Sequence, residues 1–122
     1  MIVTKKPFFS VVIPALNEEK YLPLLLDDLA KQTTQDFEVI LVDGKSKDNT
    51  VKKANLFKKK LPSLTILSSS VRNVSIQRNM GADKAIGKYL LFNDADNRLP
   101  KYFLEGVKYQ LHVKPLDLFT NW

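Results

Sequence analysis

Leu90-Leu91-Phe92-Asn93-Asp94-Ala95-Asp96 sets an apolar run against two carboxylates one residue apart. The run reads as a buried strand and Asp-Ala-Asp as its C-terminal tip. Residues i and i+2 of a strand point to the same side, so an extended chain turns both carboxylates toward one spot. Two like charges that close repel, and one holds its proton unless a cation is near. A hard divalent ion that accepts oxygen ligands, Mg²⁺ or Mn²⁺, is the simplest such cation. A solvated polar loop can have the same composition, so the rest of the chain has to decide between them.

Upstream, 8–15 (FFSVVIPA) is almost continuously apolar and rich in β-branched residues. It reads as a strand buried on both faces, as in a parallel sheet, which Pro14 should end. Asn17 is a candidate N-cap, followed by Glu18 and Glu19 at the positive end of a helix dipole. Leu22, Leu25, Leu26 and Leu29 then recur at helical spacing to about Gln32, with Pro23 in the first turn. A second strand over 37–42 stops at Asp43, before the polar turn 43–50. Asp48 or Asn49 caps a helix expected to reach Lys60. Leu64 to Leu67 reads as a third strand and 68–73 as a polar loop. Ser75 is a candidate cap for a helix to Ala85, with Gly87 as its C-cap. The strand of the opening stretch, 89–93, precedes a helix over about 101–112, and 117–122 reads as the start of a fifth strand.

This β-α-β-α-β-α-β-α-β order predicts an α/β fold, a mostly parallel sheet with helices on both faces. Ligands of such sheets bind beyond the carboxyl ends of the strands. Asn17 and Glu18 follow the first strand, Asp43 ends the second, and Asp94 and Asp96 end the fourth. Three strand ends therefore deliver polar or acidic groups to one edge, which favours a ligand site over a solvated loop.

Composition narrows the ligand. The chain has 122 residues, suited to one domain, and 44% apolar content, enough for a core. It has no cysteine, hence no disulfide and no thiolate-bound metal, in keeping with a reducing, cytoplasmic setting. No apolar run approaches the ~20 residues of a membrane span. The net charge is +6, much of it in Lys52, Lys53, Lys58, Lys59 and Lys60, which read as a solvated helix face. A nucleic-acid role is not expected, because no recognisable module or interleaved exposed aromatics accompany the lysines. Gly-rich phosphate loops are absent, and the lone His112 falls in a late helix, so neither a P-loop enzyme nor a histidine-based nucleophilic site is indicated. A receiver domain would need an Asp after the third strand, where Leu67-Ser68-Ser69-Ser70 stands. The acids suit hydrogen bonds to hydroxyl and imide groups plus a metal bridging a diphosphate, which describes a nucleotide-diphosphate sugar.

Four segments in order carry a family resemblance: 10–19 (SVVIPALNEE), 43–50 (DGKSKDNT), 77–82 (QRNMGA) and 87–96 (GKYLLFNDAD). Together they resemble the family 2 glycosyltransferases of the GT-A fold, over about residues 8–112, so the sheet is expected to be the Rossmann-like half of that fold. The resemblance implies that Pro14, Ala15, Asn17 and Glu18 lie along the nucleotide and that Asp43 binds its base or ribose. Arg78 matches a basic residue that approaches the donor, a helix-to-strand ion pair being the alternative. Gly81 matches a position of close helix packing. Asp94, with Ala95 beside it, matches the first acid of the family's Asp-x-Asp, near the ribose, and Asp96 the second, which coordinates Mg²⁺ or Mn²⁺ on the diphosphate. The implied reaction moves a sugar from a UDP- or GDP-sugar to an acceptor hydroxyl with inversion. The acceptor may be lipid-linked in such enzymes, and a peripheral position at a membrane would suit the positive charge. The family's general base and acceptor site lie beyond the Asp-x-Asp, so residues 1–122 are expected to be a single donor-binding domain cut short at the C-terminus, and no catalytic base is assigned. A non-catalytic nucleotide-sugar module is the alternative. An interrupted sheet leaves an open edge, with Phe119 and Trp122 as further apolar surface, so a homodimer is expected.

Overall fold

The computed structural model describes residues 6–113; the fifth strand expected over 117–122, with Phe119 and Trp122, lies outside them. The elements are β1 (Phe9–Ala15), α1 (Leu22–Ala30), β2 (Phe37–Asp43), α2 (Thr50–Asn55), β3 (Leu64–Ser68), α3 (Val74–Lys84), β4 (Tyr89–Phe92) and α4 (Phe103–Val113). The four strands form one sheet in the order β3-β2-β1-β4, every pair parallel. β1 and β2 occupy the centre and are buried along their whole length, which is why their sequences lack polar alternation.

The pleat divides the core in two. Phe9, Val11 and Ile13 of β1 and Val39 and Leu41 of β2 face α1, α2 and α4, packing with Leu22, Leu25, Leu26, Leu29, Ala54 and Leu104. Val12, Ile40 and Val42 face the other way, with Leu67, Met80 and Ala85. There α3 is the covering helix, so helices do occupy both faces. It lies very close to the sheet, because a Cβ on Gly81 would come within 2.3 Å of Val12 Cγ1.

Pro14 does not end β1 as expected. Its register partner is Val42, and the strand continues to Ala15. The Val12 carbonyl accepts from Asn93 N (3.0 Å), on the β4 side, whereas the Ala15 carbonyl accepts from Gly44 N (2.9 Å), beyond β2. Backbone groups alternate sides along a strand, so Pro14 turns its missing donor toward β4, whose ladder has already ended at Phe92.

Other local expectations shift for equally physical reasons. Helix α1 starts at Leu22 behind Tyr21, so Asn17 is not its cap; it adopts a left-handed φ of 52° in the loop before it. Asn73, rather than Ser75, caps α3, accepting from Ile76 N at 3.0 Å. Helix α2 ends at Asn55, and turns continue to Lys60. The cap after α3 is Ala85 in extended conformation, and Gly87 serves close approach instead. A Cβ there would fall 2.5 Å from Ser10 Oγ. Beneath it lies a buried polar knot. Ser10 Oγ and Ile86 N both donate to Glu38 Oε2 (2.6 and 2.7 Å), and Gly87 N donates to Ser10 Oγ (2.8 Å). The knot fastens the α3–β4 connection to the sheet, and every buried polar group in it has a partner.

Candidate functional site

At the carboxyl edge, the loops after β1 and β2 are fastened to each other through backbone amides. Asn17 N donates to Ser46 Oγ (2.8 Å) and Lys47 N to Asn17 Oδ1 (2.8 Å). Glu18 N donates to Thr50 Oγ1 (2.8 Å), Glu19 N to Asp48 Oδ2 (3.2 Å) and Asn49 N to Glu19 Oε2 (3.3 Å). This is the use the fold makes of Asn17: its short amide tolerates the left-handed backbone and bonds locally. Asp43 is buried, and its carboxylate accepts from the Ser46 amide (3.0 Å) and hydroxyl, shaping the turn at Gly44–Lys45.

Where β1 and β2 diverge, Gln77 of α3 fills the gap. Its Nε2 donates to Ala15 O (3.2 Å) and Val42 O (2.9 Å), and the side chain is 97% buried, since its residual exposure is 3%. Replacing it with leucine removes a donor from both carbonyls; Ala15 O keeps Gly44 N, so the loss falls mainly on the buried contact to Val42 O, at a cost of about 1 kcal/mol. Urea denaturation of Gln77→Leu should show that loss; a change below about 0.5 kcal/mol would mean the carbonyls find other partners.

The Asp-Ala-Asp tip departs from the extended chain first expected. β4 stops at Phe92, and 94–97 form a turn closed by Asn97 N donating to Asp94 O (3.1 Å). Ala95 points into the core, while Asp94 and Asp96 stay exposed. The two acids nevertheless border one cavity of about 240 Å³, together with Pro14, Ala15, Glu18 and Ala95. Burial, then the charges of Asp96 and Asp48, raise the Glu18 carboxyl above the usual range. Arg78 Nη2 lies 3.4 Å from Asp94 Oδ1, while Arg78 Nε is buried without a hydrogen-bond partner among the described residues.

Of the residues expected at the site, Pro14, Ala15, Glu18, Asp94, Ala95 and Asp96 line the cavity. Asn17, Asp43 and Arg78 do not; they brace the loops and the acid around it. Arg72 and Val74 also border it. Arg72 donates from Nε to Gly44 O (3.1 Å) and from Nη2 to Lys45 O (3.0 Å), holding the turn in which Lys45 has a φ of 61°. Nothing local in the sequence marks that role, which depends on the β3–α3 loop folding back over β2. A larger groove, about 880 Å³, runs along β4 and α4, but its lining is largely apolar and lies away from the acids. The smaller cavity is the one bordered by the strand-end acids.

Among the described residues, no three acidic, histidine or cysteine groups are arranged to hold a metal by themselves. One or two carboxylates do fit the way Mg²⁺ or Mn²⁺ binds at phosphate sites, where substrate oxygens and water complete the shell. The charge balance agrees. Glu18, Asp94 and Asp96 border the cavity with one arginine, Arg72, while Arg78 pairs with Asp94 from outside it, so an added cation would offset the charge of a diphosphate there.

Residues 10–119 match glycosyl transferase family 2. The chain is 44% identical over 94 residues to the PGL/p-HBAD biosynthesis glycosyltransferase of Mycobacterium tuberculosis, covering 76% of this chain and 37% of that protein. It is 32% identical over 110 residues to the glycosyltransferase GlyG of Streptococcus pneumoniae, covering 89% and 36%. Its fold is similar to that of Staphylococcus aureus TarS, residues 1–349, in complex with UDP-GlcNAc (TM-score 0.82, 32% identity, 86% of this chain and 31% of that one). It also resembles the mannosyltransferase PcManGT from Pyrobaculum calidifontis in complex with GDP-Man and Mn²⁺ (TM-score 0.71, 27% identity, 80% and 30%). The chain thus spans about a third of the length of these relatives. With that match spread over nearly the whole sheet and its acidic edge, the chain belongs to the family 2 glycosyltransferases and carries the N-terminal region of their GT-A fold.

Proposed function

We propose that this chain binds a UDP- or GDP-sugar through a divalent metal held by Asp96 and forms the donor side of an inverting transfer to an acceptor hydroxyl. The observation that carries the reading is the convergence of Glu18, Asp94 and Asp96 on one cavity at the carboxyl edge of the sheet. The ligands bound in related structures, UDP-GlcNAc in TarS and GDP-Man with Mn²⁺ in PcManGT, support the same class of donor.

Each residue has a definite part in this reading. Pro14 and Ala15 form the floor along the nucleotide, and the braced loop around Asn17 and Asp43 sets its width. Asp94 accepts from the ribose, its carboxylate oriented by Arg78. Asp96 would hold Mg²⁺ or Mn²⁺, which when bound would supply Lewis-acid stabilisation of a departing nucleotide diphosphate. The acceptor hydroxyl must lose a proton to a base as the new bond forms. A lipid-linked acceptor at the cytoplasmic face of a membrane would suit the charge of +6.

Titration calorimetry with UDP and GDP, with and without Mn²⁺, tests the reading. Mn²⁺ should tighten binding of one nucleotide by at least about tenfold, or 1.4 kcal/mol. Equal binding in chelator would overturn the metal role.

A homodimer is part of the proposal. Among the described residues β4 lies at the edge of the sheet, and Leu90 and Phe92 on it are 44% and 48% exposed. Solution scattering should give twice the monomer mass at micromolar concentration; a monomer throughout would remove that element.

A further inference from the structure

We infer that Asp28, acting through Arg98 and the Leu99 amide, is a positioning residue that holds the Asp94–Ala95–Asp96 turn where Asp96 can meet a metal. The inference rests on the metal–donor reading of the cavity given above.

Between the end of β4 and the start of α4 the chain has no ladder or helix to fix it, and the candidate metal residue lies in this stretch. On its upstream side the turn is fastened by Asn93 N donating to Val12 O (3.0 Å). Its middle is anchored by Ala95 in the core. Downstream, fixation comes from α1, 68 positions earlier in the sequence than Asp96. Arg98 donates to Asp28 through a two-pronged fork, Nε to Oδ2 at 2.7 Å and Nη2 to Oδ1 at 2.9 Å. Leu99 N donates to Asp28 Oδ2 at 3.0 Å. One carboxylate thus takes three hydrogen bonds from the two residues that begin two positions after Asp96. The Asp28 side chain is only 12% exposed, so its position is set by packing on α1. The hydrogen bond from Arg98 is the main cause that holds its carboxyl below the usual range.

The end of α1 extends the clamp. Gln32 Nε2 donates to Pro100 O (2.8 Å), Leu104 N donates to Gln32 Oε1 (3.0 Å), and Thr33 N donates to Lys101 O (2.9 Å). These contacts matter because the turn carries an unfavourable load. The charge of Asp96 opposes Glu18 across the cavity, and Asp94 brings a third carboxylate to its border. Without a downstream anchor, that repulsion would widen the turn. A fork of two parallel bonds resists rotation as well as translation, which a single ammonium contact would not.

The test uses the full chain and two variants, Asp28→Asn and Arg98→Lys. The first weakens the fork, and the second keeps the charge on an exposed side chain while losing the planar geometry. Two quantities are read: Mn²⁺ affinity in the presence of UDP by calorimetry, and amide hydrogen exchange at Asn97, whose N–H closes the turn. Both variants should lose about tenfold in Mn²⁺ affinity, the scale of outer-shell substitutions at metal sites. The Asn97 amide should exchange several-fold faster in each, while UDP binding in chelator stays as in the parent. If Asp28→Asn fails to fold, Arg98→Lys alone decides. Mn²⁺ affinity within twofold of the parent together with unchanged Asn97 exchange would overturn the inference. If the parent itself shows no Mn²⁺-dependent binding, the reading of the cavity fails, and unchanged exchange in the variants would then remove the clamp as well.

Discussion

Asp96→Ala should leave the protein folded and remove the Mn²⁺-dependent part of nucleotide binding, a loss of about tenfold or more, at least about 1.4 kcal/mol. The size follows from the sparse ligand set. In the proposed reading Asp96 is the main protein ligand, the rest of the ion's shell being phosphate oxygens and water, so one substitution should remove most of the metal's hold. Folding should be little affected, because Asp96 is exposed at a turn and, among the described residues, its side chain accepts no hydrogen bond. Removing it also removes one of the charges that raise the Glu18 carboxyl, which should move back toward the ordinary range. Calorimetry with and without Mn²⁺, alongside a melting curve, separates the two effects. Undiminished Mn²⁺-dependent binding in this variant would exclude Asp96 as the metal residue. Asp94→Ala is the informative contrast, since it frees the Arg78 guanidinium to meet a diphosphate without metal.

Gly81→Ala should destabilise the fold by about 2 kcal/mol. Alanine is the better helix former by about 1 kcal/mol, so an exposed site would be stabilised. Here the new Cβ would stand 2.3 Å from Val12 Cγ1, on a β-branched side chain with no exposure and no room to rotate. Helix α3 would have to lift from β1, and overpacking of that kind costs about 3 kcal/mol or more at the severe end. The lift would also carry Gln77 away from the carbonyls it bridges and Arg78 away from Asp94. Val12→Ala in the same chain should restore part of the loss, so the pair should be non-additive in urea denaturation. Additive behaviour would mean that α3 does not press on Val12.

These effects bear on the site because α3 and β4 act together. The Ser10–Glu38–Ile86–Gly87 knot secures the base of β4, Gln77 closes the gap between β1 and β2, and the acids sit at the top of the same strand. A shift of α3 therefore alters both walls of the cavity. Positional precision of that order matters to a transferase, since misplacement by about 1 Å can cost 100-fold in rate.

Strong hydrophobic patterns and strand-end acids could be read without coordinates. The unbroken apolar runs of β1 and β2 imply a buried parallel sheet, the leucine spacing implies α1, and acids after three strands imply a ligand edge. Each of these follows from local periodicity plus the general rule for α/β sheets. Details that depend on partners distant in sequence were not legible. Pro14 stays within β1 only because β4 ends two residues earlier in register. Asn17 braces the 43–50 loop, not a helix, because that loop folds beside it. Gly87 looks like a cap until Ser10 is seen beneath it. Above all, Asp94-Ala95-Asp96 names the acids, but a strand rule cannot say that the chain turns there. The apolar pocket for Ala95, the Val12 carbonyl and the Asp28–Arg98 fork come from three separate elements, and only their packing brings the two carboxylates to the same cavity.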